Sequence, residues 1–118
     1  ATGYAEDMEH TRTMTAEAAT ATTAVYRLPD TAWARRAVGV WANELSQNFP
    51  ARAHLIICPD GENSYTISVR AAKSHPNGAS AFCRRYPGGG GREAAAGINK
   101  LPDSNLAELI QAFELAFK

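Results

Sequence analysis

At 118 residues the chain is long enough to build one packed core and too short for two. Apolar residues at 45% and charged residues at 20% describe an ordinary globular composition, and a formal net charge of +0 argues against general adhesion to nucleic acid. No run of 18 apolar residues is present, which excludes a membrane-spanning helix, and the first residues lack the basic and apolar regions of a signal peptide.

Residues 11–24 are dominated by Thr and Ala, with almost no large apolar side chain to bury. Residues 1–24 are therefore expected to be the remnant of an interdomain connector, with the folded domain at 25–118. His10 and Met14 share one helical face if that segment is helical, but such a pair is too few donors for a metal site. A short strand is expected at 25–28, ended by Pro29, and Asp30 or Thr31 caps the helix that follows. Trp33, Ala37, Trp41, Leu45 and Phe49 recur at about every fourth position, an apolar stripe opposed by Arg35, Arg36, Asn43 and Gln47.

Next, residues 53–58 are apolar and β-rich, residues 59–62 read as a turn, and residues 65–70 alternate, so a hairpin is expected. Tyr65, Ile67 and Val69 fall on one face of its second strand. Thr66, Ser68 and Arg70 fall on the other, which points Arg70 away from the buried row, toward a ligand or a surface carboxylate. An exposed loop at 73–78 carries His75. Residues 79–86 read as a short helix, 97–101 as a strand at a sheet edge, and Asp103 or Ser104 as the cap of a last helix with Leu106, Leu109, Ile110, Phe113 and Phe117 on its core face. The order of elements gives an α+β fold, a small mixed β-sheet with helices packed on it. Cys58 and Cys83, far apart and without close spacing, read as buried thiols, and a cytoplasmic setting is expected.

The most distinctive stretch is Gly88, Gly89, Gly90 and Gly91, followed by Arg92. A glycine run lets backbone amides approach a ligand and turn inward into an anion-binding nest, and a guanidinium at its exit adds a fork suited to phosphate oxygens. The competing reading is a flexible linker. Charge is distributed to match the first. Residues 63–102 carry Arg70, Lys73, Arg84, Arg85, Arg92 and Lys100 against Glu93 alone, whereas the segments before and after it are acidic. Arg84, Arg85 and His75 are candidates for the rim of such a site.

The stretch Gly88-Gly89-Gly90-Gly91-Arg92-Glu93-Ala94-Ala95-Ala96-Gly97 resembles the GGGH-x-x-AAG signature of the DHH-associated domain, the C-terminal domain of the DHH (Asp-His-His) phosphoesterases. That superfamily includes exonucleases, oligoribonucleases, cyclic-dinucleotide phosphodiesterases and exopolyphosphatase-like proteins, and a related domain ends alanyl-tRNA synthetases. Ser68-Val69-Arg70 is similar to the Ser-Leu-Arg that family members carry on a strand before the glycines, and the resemblance runs over residues 25–118. Arg92 stands where the family has a phosphate-contacting histidine, and Ala71 where it often has serine. An arginine keeps the positive charge but does not titrate near neutral pH.

The resemblance implies a substrate-binding domain that grips a nucleotide, short oligonucleotide or polyphosphate with Arg70, Gly88 to Gly91 and Arg92. Hydrolysis would take place at a divalent-metal centre, usually manganese, on the DHH domain of a longer parent chain. His10, His54 and His75 stand alone, so neither a metal nor a catalytic residue is assigned here, and the chain is expected to bind without hydrolysing. The alternative is a module for single-stranded nucleic acid without a catalytic role, with Phe82 and Tyr86 stacking on bases.

Overall fold

A computed structural model of the chain describes residues 16–118. His10 and Met14 lie outside the described residues. Six strands form one sheet in the order β1-β2-β3-β4-β6-β5. They are β1 (Ala18–Ala19), β2 (Thr23–Arg27), β3 (Ala53–Pro59), β4 (Ser64–Arg70), β5 (Gly89–Gly91) and β6 (Ala95–Pro102). β2 and β3 pair in parallel and every other neighbouring pair is antiparallel, so the sheet is mixed, as expected. Residues 16–24, expected as connector, instead supply β1 and the buried start of β2 at Thr23 and Ala24.

The parallel pair needs a crossover, and α1 (Ala32–Asn48) provides it. Thr31 caps its start, the Oγ1 accepting the Ala34 N–H at 3.3 Å, while Asp30 pairs with Arg35 at 2.7 Å. Ala37, Trp41 and Leu45 of the apolar stripe are buried. Trp33 is half-buried, and Phe49, just beyond the helix end, is 42% exposed with Arg52 over its ring. α1 packs on one face of the sheet, against Tyr26, Leu28, Ile56 and Cys58. Tyr26 meets Trp41 edge-on at 5.0 Å.

The other face is covered by α2 (Ala79–Cys83) and α3 (Leu106–Ala116), which pack on Leu55, Ile57, Ile67, Val69 and Ile98. β3 is therefore covered on both sides, which accounts for its unbroken apolar run. β4 alternates because α1 only partly covers its second face: Ile67 and Val69 are buried, while Thr66, Ser68 and Arg70 are half-exposed.

Three local expectations are corrected. β6 is not at an edge; it lies between β4 and β5, and the glycines themselves form the edge strand. The helix expected at 79–86 ends at Cys83, and its last turn continues as loop. Neither Asp103 nor Ser104 caps α3 through its side chain. Asp103–Asn105 form a 3₁₀ turn, and the Asp103 carboxylate accepts the Tyr65 hydroxyl at 3.0 Å.

Candidate functional site

Arg70 ends β4, where the register sets it opposite His54 on β3 and Ala95 on β6. The turn joining β5 to β6 is tied by two backbone bonds, one to this end of β4 and one to the start of α2. Ala71 donates its N–H to the Ala94 carbonyl at 2.9 Å, and Ala79 to the Glu93 carbonyl at 3.0 Å. A third, from the Arg92 N–H to the Ala95 carbonyl at 2.8 Å, closes the turn itself. Arg92 is thereby brought beside Arg70 although the two are far apart in sequence.

Both line a groove of about 590 Å³ bounded by the second half of α1, the end of β4, the 72–76 loop and the β5–β6 turn. Lys73 and Pro76 come from the loop, and Asn43, Ser46 and Gln47 from α1. The cations Arg70, Lys73 and Arg92 stand against one acidic residue, Glu93. Among the described residues none of the three cations forms an ion pair. Arg70 is instead held by neutral acceptors, its Nε donating to Asn43 Oδ1 and its Nη1 to the Val69 carbonyl, both at 3.3 Å. Burial pushes the Arg70 guanidinium below its ordinary value, and the positive charge of Arg92 pushes the same way. Two like charges held together, with no carboxylate paired to either, leave a field that an anion in the groove would relieve.

The glycines do not form a nest around that groove. Gly89, Gly90 and Gly91 pair with Ile98, Gly97 and Ala96 as a strand, and the Gly89 N–H donates to the Tyr86 carbonyl at 3.1 Å. Their composition answers to crowding. A Cβ on Gly89 would collide with the Cys83 carbonyl of α2, and one on Gly88 would come within 2.8 Å of the Asn99 carbonyl. Gly88 and Gly91 also have φ of 80° and 146°. The run thus lets the hairpin lie flat on α2, and in doing so aims the turn that carries Arg92.

The remaining expected residues separate. His75 and Arg85 line a different cavity on the α2 and α3 side of the sheet, and Arg84 is exposed and lines neither. Phe82 and Tyr86 are only 1% and 9% exposed, and the Tyr86 hydroxyl donates to Glu108 at 2.9 Å, so neither ring offers a face for base stacking. Asn43, Ser46 and Gln47 were not assigned to the site from sequence. Asn43 and Gln47 lie on the polar stripe of α1, but only the packing of α1 on the sheet shows that this stripe overhangs the end of β4. Cys58 and Cys83 are buried free thiols. Among the described residues no three His, Cys, Asp or Glu side chains gather as metal ligands, and no helix is long and apolar enough to cross a membrane.

No protein-family model matches the chain, and no curated protein matches its sequence. Solved structures do share its fold. The pGpG-specific phosphodiesterase PggH from Vibrio cholerae aligns at a TM-score of 0.59 and 14% identity, over 95% of this chain and 36% of that one. An exopolyphosphatase-related protein from Bacteroides fragilis aligns at 0.65 and 17% identity, over 98% of this chain and 34% of that one. The chain spans about a third of the length of either protein, and at these identities the likeness is one of fold.

Proposed function

We propose that this chain is the substrate-binding part of a phosphoesterase of the DHH kind, and that the Arg70–Arg92 groove holds a phosphate group of a nucleotide, short oligonucleotide or polyphosphate. The observation that carries the reading is the convergence of Arg70, Lys73 and Arg92 on one groove with no ion pair among them. Its support is threefold. The glycine-arginine stretch resembles the DHH-associated signature, the fold is shared with a phosphodiesterase and an exopolyphosphatase-related protein, and guanidinium pairs suit phosphate oxygens. In this reading Arg92 grips the phosphate from the turn, Arg70 neutralises it from the sheet, and Asn43 fixes the Arg70 guanidinium in orientation.

The described residues do not fit a two-metal centre, so the divalent metal such hydrolysis requires would be held by a DHH domain outside them. This chain's contribution is to bind and orient, in a cytoplasmic setting that leaves its two buried thiols reduced. The nucleic-acid module loses its stacking platform with the burial of Phe82 and Tyr86.

Isothermal titration with pyrophosphate, a mononucleotide and a short oligonucleotide tests the proposal. Saturable binding of all three is expected, with affinity independent of oligonucleotide length and no hydrolysis when manganese is added. Arg92→Ala, on an exposed turn, should weaken pyrophosphate binding by about tenfold or more while leaving the fold intact. Equal binding by that variant, or no binding of any of the three by the unmodified chain, would refute it.

A further inference from the structure

On the α2 and α3 side of the sheet, a second cavity of about 410 Å³ opens between the 72–78 loop, α2 and the end of α3. Its lining carries His75, Arg85 and Lys118, and no Asp or Glu among the described residues. The Arg85 guanidinium lies over the Phe82 ring, its central carbon 5.4 Å from the centroid, which stations a cation there without a carboxylate partner. The wall is small and apolar where Ala81, Ala116 and the half-buried Phe117 contribute to it. The loop that closes it is tied down: the Ser74 N–H donates to the Pro50 carbonyl at 3.2 Å and the His75 N–H to the Ala72 carbonyl at 3.0 Å. Cations joined to a small apolar wall suit a ligand with the opposite pairing, an anionic group on a flat apolar body.

We propose that this cavity is a second binding site, separate from the Arg70–Arg92 groove, for a small anion bearing a flat ring, the chemical class of aryl phosphates and nucleoside monophosphates. The phosphate meets His75, Arg85 and Lys118, and the ring lies against Phe117 and the two alanines. The cavity volume is at the lower end of the roughly 300–1,000 Å³ typical of ligand pockets, which fits one ring with one phosphate better than a chain of nucleotides. The 72–78 loop separates the two sites, with Lys73 and Pro76 on the groove side and Ser74, His75 and Asn77 on this one. This inference does not depend on what the groove binds.

The test is an amide-detected NMR titration of the chain with phenyl phosphate, and with inorganic phosphate as the ringless control. Saturable shifts are expected at Gly78, Ala81, Arg85 and Phe117, with phenyl phosphate binding at least about fivefold more tightly than phosphate. Arg85→Ala and Lys118→Ala should each weaken it by roughly fivefold to tenfold, while Arg92→Ala leaves these shifts unchanged. Lys118 is exposed and outside the core, so its loss tests binding and not folding. Shifts confined to the Arg70–Arg92 groove, equal affinity for phosphate and phenyl phosphate, unaltered binding in both variants, or no saturation up to about 10 mM would each overturn the proposal.

Discussion

His54 is the residue that most strains the usual rules for a buried side chain. It is 0% exposed, its Nε2 lies 3.4 Å from the Phe49 carbonyl, and its Nδ1 has no hydrogen-bond partner. Burial pushes its pKa down from 6.5, and the charge of Arg52 adds to this, against an upward pull from the Phe49 carbonyl. The native ring therefore takes up a proton only at lower pH than in the unfolded chain, where it does so near pH 6.5. Below that pH the unfolded state binds more protons than the native state, so stability should fall as pH drops from about 6.5 toward the lowered native value. Urea unfolding at pH 7.5 and pH 5 measures the effect. The loss should be smaller in His54→Leu than in the unmodified chain, and an equal loss would assign the pH dependence to other groups.

The β5–β6 hairpin is the element on which the candidate site depends. Its glycines are required unequally. A Cβ at Gly89 runs into the Cys83 carbonyl, and the backbone on both sides of that contact is fixed by pairing and by α2, so relief requires the edge strand to move. A Cβ at Gly90 meets nothing within 4 Å. Gly89→Ala should therefore cost about 2–3 kcal/mol in chemical denaturation. Gly90→Ala should be neutral or stabilising by about 0.5 kcal/mol, since glycine is a poor strand residue. Similar losses for both would mean that the run serves some purpose other than close packing on α2. Because the hairpin carries Arg92, Gly89→Ala should also weaken phosphate binding, and Gly90→Ala should not.

Across the whole molecule, a chain of zero formal net charge places Arg70, Lys73 and Arg92 at one groove, and no ion pair among the described residues cancels these three charges. Such a field is local, and salt screens it over roughly 8–10 Å at moderate ionic strength. Phosphate affinity should accordingly fall several-fold between about 50 and 500 mM salt. It should stay level from pH 7.5 to 9.5, because guanidinium groups keep their charge there. Arg92→His should add a slope below that plateau: relative to the unmodified chain, its binding should weaken as pH rises from about 5.5 to 7.5, through the value near 6.5 where an ordinary imidazole gives up its proton. A flat profile in that variant would place the phosphate away from Arg92.

Periodicity in the sequence was enough to locate α1, the β3–β4 hairpin and α3, because each buries a face that its own apolar spacing announces. Alternation along β4 also placed Arg70 opposite the buried row, and the charge count gathered the cations into one segment. What the glycines do was not legible. A residue without a side chain carries no pattern, and its role is set by what approaches it, here the Cys83 and Asn99 carbonyls. Equally hidden was the sorting of the basic side chains. Arg70, Lys73 and Arg92 reach one side of the sheet while His75 and Arg85 reach the other. That division follows from strand register and from which face each helix covers, both of which arise only when distant segments pair.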